Sequence, residues 1–219
     1  MDQKMGSRDK NISTKKDSSA SALGRPDDKH NDRLEQILLV SARLFSEKGY
    51  VSTSLQDIAD GVGIHKATLY HYIDSKDSIL FQCLSRSFAD LDALEVRLHA
   101  SELPVLERLR LFVRCLAVAQ NSEFGRCLIL IGLRPLESQS SKEVRGFQRR
   151  LDKIVRDLIH EGIRLGVIRD CSPKLASAFL FGALNWVPQW YEPNGPLKLA
   201  TIIEEFISFL ELGLSVKES

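Results

Sequence analysis

The chain has 219 residues, 43% of them hydrophobic and 27% charged, with a formal net charge of +1. That balance suits one or two compact units with proper cores and counts against a bulk electrostatic nucleic-acid binder. No apolar run approaches the length of a membrane span, and the N-terminus lacks a charged region followed by an apolar one. No membrane partner and no secretory signal are therefore expected. The cysteines (Cys83, Cys115, Cys127, Cys171) are scattered, with no CxxC pair and no His/Cys cluster. Neither a disulfide framework nor a metal site is expected, no cofactor is implied, and the natural home is a reducing cytoplasm.

Residues 1–30 carry Ser, Lys, Asp and Gly with hardly a large apolar side chain, and read as a disordered polar tail. Asp32 and Glu35 then open an amphipathic helix. Leu34, Ile37, Leu38, Ser41, Ala42 and Phe45 share one face, and Gly49 ends it. Ser54 is placed to cap a second helix, with Asp57 in a capping-box relation and Leu55, Ile58, Ala59 and Val62 at helical spacing. Gly61 and Gly63 mark a bend. Ile64 and Leu69 then pack back, leaving His65, Lys66, Thr68, Tyr70 and His71 for an outer face. This is the layout of a helix-turn-helix, whose second helix enters the major groove of DNA. The segment from Asp32 to Asp77 is nonetheless slightly acidic, so it must work through a few placed donors.

Ser75 is positioned to cap a long helix, about Lys76 to His99, that leaves the first domain for a second. Pro104 opens another helix, and a shorter apolar run from Cys127 to Leu133 is stopped by Pro135. Ser138 to Ser141 read as a polar break. Helices carrying Phe147 to Ile159, Leu175 to Leu184 and Leu199 to Leu214 follow, and Pro188 removes one backbone hydrogen bond from the second of these. Nothing demands a strand. The fold class is all-α, divided into 1–30 tail, 31–77 helix-turn-helix domain and 78–219 ligand-binding and dimerisation domain.

The stretch from Arg33 to Leu84, above all AxxLFxEKGY, TSLQDIADGVGI and KATLYHYIDSKDSIL, resembles the TetR family of bacterial transcriptional regulators. The resemblance implies a three-helix DNA-binding domain, a connecting fourth helix and a larger helical domain that binds a ligand and dimerises through its last two long helices. Carried over by position, it puts His65, Lys66 and Thr68 within reach of base edges and Tyr70, His71 and Lys76 on phosphates. Ser54 and Gln56 would add one phosphate and one base contact. His65 stands where Ser or Thr is common, so whether it caps, reads a base or does neither stays open.

The block from Gly182 to Phe206 is similar to a TetR branch that includes regulators of lipid and steroid catabolism, several of which respond to acyl-CoA thioesters. On that reading Asn185, Trp186, Trp190 and Tyr191 line an apolar ligand pocket. They serve equally well in a dimer interface, which is also rich in aromatics. The resemblance thus implies a homodimeric repressor on a palindromic operator, released by a small-molecule effector such as an acyl-CoA. An all-α enzyme or carrier is the rival. The chain offers no metal-ligand spacing, nucleophile elbow or phosphate loop for it, and no catalytic residues are assigned.

Overall fold

The computed structural model describes residues 26–99 and 102–215, and every regular element among them is an α-helix. In chain order these are α1 (Pro26–Lys48), α2 (Leu55–Val62), α3 (Lys66–Leu69), α4 (Lys76–His99), α5 (Val105–Gln120), α6 (Glu123–Ile131), α7 (Ser138–Arg164), α8 (Pro173–Trp190) and α9 (Leu199–Leu214).

Three boundaries differ from the sequence reading. The first helix starts at Pro26, ahead of Asp32, so the end of the expected tail is helical. A proline fits a first helical position because it has no N–H to leave unpaired there. Residues 1–25 of that tail lie outside the described residues. The sixth helix starts at Glu123, ahead of Cys127, because the Ser122 hydroxyl accepts the Gly125 N–H at 3.1 Å and caps it. Ser138 to Ser141, expected as a break, form the first turn of α7, with the Ser141 N–H donating to the Glu137 carbonyl at 2.9 Å.

The helices enclose two apolar cores. The first gathers Ile37, Leu38 and Phe45 of α1, Ile58 of α2, Leu69 of α3 and Ile79, Leu80 and Leu84 of α4, all fully buried. The second gathers Phe112 and Leu116 of α5, Val155 and Ile159 of α7, Leu184 of α8 and Ile207 and Leu210 of α9. Residues 31–77 do not close their own core. Cys127 of α6, Leu136 of the α6–α7 connection and Val144 of α7 are buried within it as well. Helix α4 runs through both, and Phe88 at its middle stacks on Phe147 of α7 with ring centroids 3.9 Å apart. A bidentate pair between Arg114 and Glu204, both bonds 2.8 Å, helps dock α9 on α5.

Close approach requires glycine at Gly61 and Gly125, and also at Gly162, where a Cβ would lie 2.5 Å from Ile168 Cδ1. A Cβ at Gly61 would lie 2.8 Å from Val40 Cγ1, so its absence lets α2 settle on α1. A Cβ at Gly125 would lie 1.8 Å from the Ala119 carbonyl oxygen, at the tight corner between α5 and α6. That neighbour is backbone and cannot swing aside. Gly125→Ala should therefore lower unfolding free energy by about 1–3 kcal/mol, measured by urea denaturation. An unchanged midpoint would mean that the corner is not tightly held.

Candidate nucleic-acid interface and effector cavity

Local chemistry builds the helix-turn-helix. The Ser54 hydroxyl accepts the Asp57 N–H at 3.0 Å while an Asp57 carboxylate oxygen accepts the Ser54 N–H at 2.7 Å, a full capping box. The hydrogen bonds from the Ser54 side chain and backbone hold the Asp57 carboxyl below the usual carboxylate range. At the other end Gly63 takes the left-handed conformation, φ +73°, and the Ile64 N–H reaches back to the Ala59 carbonyl at 3.0 Å. The chain reverses there into α3, a single turn pinned by buried Leu69.

This places the expected DNA-contacting residues unequally. His65, Lys66, Tyr70 and His71 are exposed together on and after α3, and Thr68 is half-buried beside them. His65 occupies the N-cap position but makes no side-chain cap bond, so its imidazole is free of that duty. Ser54 is committed to its capping box, and the Gln56 amide is tied back to Asp60 at 2.8 Å. Lys76 turns toward its own domain: Nζ lies 4.2 Å from the Tyr50 ring centroid and donates to the Val51 carbonyl at 3.5 Å. Desolvation lowers the Lys76 pKa and raises that of Tyr50, as expected for two groups that cover each other.

The second core holds a cavity of about 280 Å³, walled by Phe88 and Leu91 of α4, Leu116 and Gln120 of α5, Leu128 and Ile129 of α6, Phe147 and Leu151 of α7 and Phe181 of α8. The lining is mostly apolar, with a polar corner where the Gln120 amide donates to the Asn185 Oδ1 at 2.6 Å. Gln120 Oε1 is buried and has no hydrogen-bond partner among the described residues. Of the four expected ligand-contacting residues, Asn185 lies on this wall; Trp186, Trp190 and Tyr191 do not line the cavity. Trp186 is 64% exposed and Trp190 42%. With Leu175 and Phe179 they form an apolar stripe along the outside of α8, beside exposed Phe209 and Leu212 of α9.

What sequence reading missed is the position of α6. Its inner residue Cys127 is fully buried in the helix-turn-helix core, while Gly125, Leu128 and Ile129 face the cavity. The signal was present in EFGRCLILI, whose second half is apolar without a break, as suits a helix packed on two faces. Arg43 of α1 pairs with Glu123 of α6 at 2.9 Å, and the Glu137 N–H donates to Asp77 of α4 at 3.1 Å. Burial pushes the Cys127 thiol up to about 12 and the Cys83 thiol well above its ordinary range, so both stay protonated and inert. No cluster among the described residues could hold a metal ion.

Residues 37–83 match the bacterial regulatory proteins of the tetR family, and residues 102–214 match the tetracyclin repressor-like C-terminal domain. The chain belongs to the TetR family. It is a DNA-binding transcriptional regulator and not an enzyme. The HTH-type transcriptional repressor KstR2 of Mycobacterium tuberculosis is 31% identical over 192 residues, covering 84% of this chain and 94% of that protein. The solved structure of that ketosteroid transcriptional regulator superposes with a TM-score of 0.74, over 85% of this chain and 97% of the other, at 26% identity. PfmR of Thermus thermophilus gives a TM-score of 0.74 at 28% identity, over 82% of this chain and 99% of the other. AibR, solved with isovaleryl coenzyme A and operator DNA, gives 0.72 at 23% identity over 81% and 97%, a likeness of fold alone.

The capping box makes a further expectation concrete. Ser54→Ala should cost about 1 kcal/mol of stability and raise the Asp57 pKa toward its ordinary value. Thermal unfolding and carboxylate titration by NMR check the two effects.

Proposed function

We propose that the chain is a cytoplasmic homodimeric repressor that holds a palindromic operator and is released by a small-molecule effector seated in the cavity. The carrying observation is α6, whose opposite faces belong to the cavity wall and to the helix-turn-helix core. An effector that wedges Leu128 or Ile129 outward cannot leave Cys127 and its neighbours in place. Packed cores shift between discrete arrangements and do not stretch, so the recognition helices move as a unit. Helix α4 supplies a second connection, carrying Phe88 and Leu91 on the cavity and Leu84 in the first core. Tighter effector binding to the displaced arrangement lowers operator affinity, and the operator weakens effector binding by the same factor.

The exposed cluster of His65, Lys66, Thr68, Tyr70 and His71 is the part that meets DNA. Lys66 suits a guanine edge, while Tyr70 and His71 suit phosphates. Lys66→Ala should cost about 1–3 kcal/mol at one base position and relax preference there, read by gel shift on operator variants. Equal losses on operator and random DNA would reduce Lys66 to a phosphate contact. Ser54, Gln56 and Lys76 would join only by giving up internal bonds, so their share is smaller.

The stripe of Leu175, Phe179, Trp186 and Trp190 with Phe209 and Leu212 supports pairing of α8 and α9 with the same helices of a second copy. On this reading the tryptophans belong to an interface and Asn185 is the ligand contact. Phe179→Glu should convert the dimer to monomer in sedimentation and abolish operator binding at the same concentration. A variant that stays dimeric would remove this surface from the interface.

For the effector, the mostly apolar cavity, with its Gln120–Asn185 corner and Ser87, Gln148 and Asp152 also on the wall, suits an acyl chain or a steroid ring carrying a carbonyl or hydroxyl. The likeness of Gly182 to Phe206 to regulators of lipid and steroid catabolism favours an acyl-CoA thioester. Release of the operator by such a thioester in a gel shift tests this. Release by none of a short, medium and steroid acyl series would end the thioester reading and leave the DNA function standing.

A further inference from the structure

A shallow hollow on the outside of α7 is lined by Arg145, Gln148, Arg149 and Asp152. Gln148 and Asp152 also line the cavity, so the two spaces share part of one wall. On the same helix Arg150 pairs with Asp92, Lys153 with Asp157 and Arg156 with Asp152. Arg145 and Arg149 have no ion pair among the described residues and are exposed. They stand four residues apart on one helical face, where two like charges repel unless an anion lies between them. The Asp152 carboxylate does not serve that purpose. One of its oxygens accepts the Ser177 hydroxyl at 2.6 Å and the other is held by Arg156.

Size and charge give the hollow a purpose. A space of about 280 Å³ admits a medium acyl chain. No lysine or arginine lines the cavity, and the acidic Asp152 does, so the enclosed end of a ligand must be uncharged. Charge must therefore lie outside, along the shared wall. Guanidinium groups grip phosphate oxygens with paired, charge-assisted hydrogen bonds.

We propose that Arg145 and Arg149 form the phosphate-binding subsite of a two-part effector, whose apolar end fills the cavity while its phosphates lie in the hollow on α7. The proposal rests on the thioester reading given above and assigns that ligand's charged end. The same chemistry would also hold a single-chain phospholipid, and the test separates the two.

Full-length protein and its Arg145→Gln/Arg149→Gln double variant are titrated by calorimetry. The ligands are octanoyl-CoA, octanoyl-pantetheine, which has the same acyl chain and no phosphate, and a single-chain lysophosphatidic acid. The double variant should lose about tenfold or more in affinity for octanoyl-CoA. It should also lose most of the salt dependence that the parent shows, and bind octanoyl-pantetheine as the parent does. This last result also shows that the variant is folded with its cavity intact. Equal affinity of parent and variant for octanoyl-CoA would overturn the subsite and leave the thioester reading standing. Binding of none of the three ligands by the parent would overturn both. Arginine-dependent binding of the lysophosphatidic acid alone would keep the phosphate subsite and replace the thioester by a phospholipid.

Discussion

The structure depends on one packing constraint: α6, nine residues long, has to satisfy two cores at once. None of its residues is fully exposed, so it cannot rotate or slide without exposing apolar surface on one side or opening a void on the other. Either event costs on the order of a kcal/mol per displaced methylene. Gly125 tightens the constraint, because its missing Cβ is what lets α6 turn sharply off α5. A rigid short helix between a fillable space and a DNA-reading surface transmits displacement efficiently.

The ion pairs around this helix act as positioning devices more than as sources of stability. Arg43–Glu123 and Arg86–Glu35 are close in geometry but about half exposed, and such pairs contribute at most about 1 kcal/mol. Their value lies in joining α1 to α6 and to α4, so that the three helices share one register. Internal donors also take up much of the acidity of the DNA-binding segment. Glu35, Asp57, Asp60 and Asp77 are each engaged by an internal donor, whereas His65, Lys66, Tyr70 and His71 face outward. A nearly neutral domain can therefore present a locally favourable face to a polyanion.

The cavity and the outer stripe of α8 divide the labour of a single helix. Asn185 turns inward to meet Gln120, while Trp186 and Trp190 turn outward to an unpartnered surface. Helical periodicity demands this split, since residues three to four apart share a face and immediate neighbours do not. A cluster that looks like one site in the chain becomes two surfaces in the fold.

Much of the helix-turn-helix was legible in the chain because its signals are local. The Ser54–Asp57 capping box, the glycine-marked turn and the spacing of Ile58, Ala59 and Leu69 each act within a few residues, and the all-α class follows from periodicity alone. Helix starts were less legible at Pro26, Glu123 and Ser138, where polar residues serve a cap or first turn as readily as a loop. The cavity wall was not legible at all. Gln120 and Asn185 are 65 positions apart, and their meeting is set by how α5, α6 and α8 pack. The same holds for α6 and for the hollow on α7: local sequence decides which residues share a helical face, but only tertiary packing decides what that face meets.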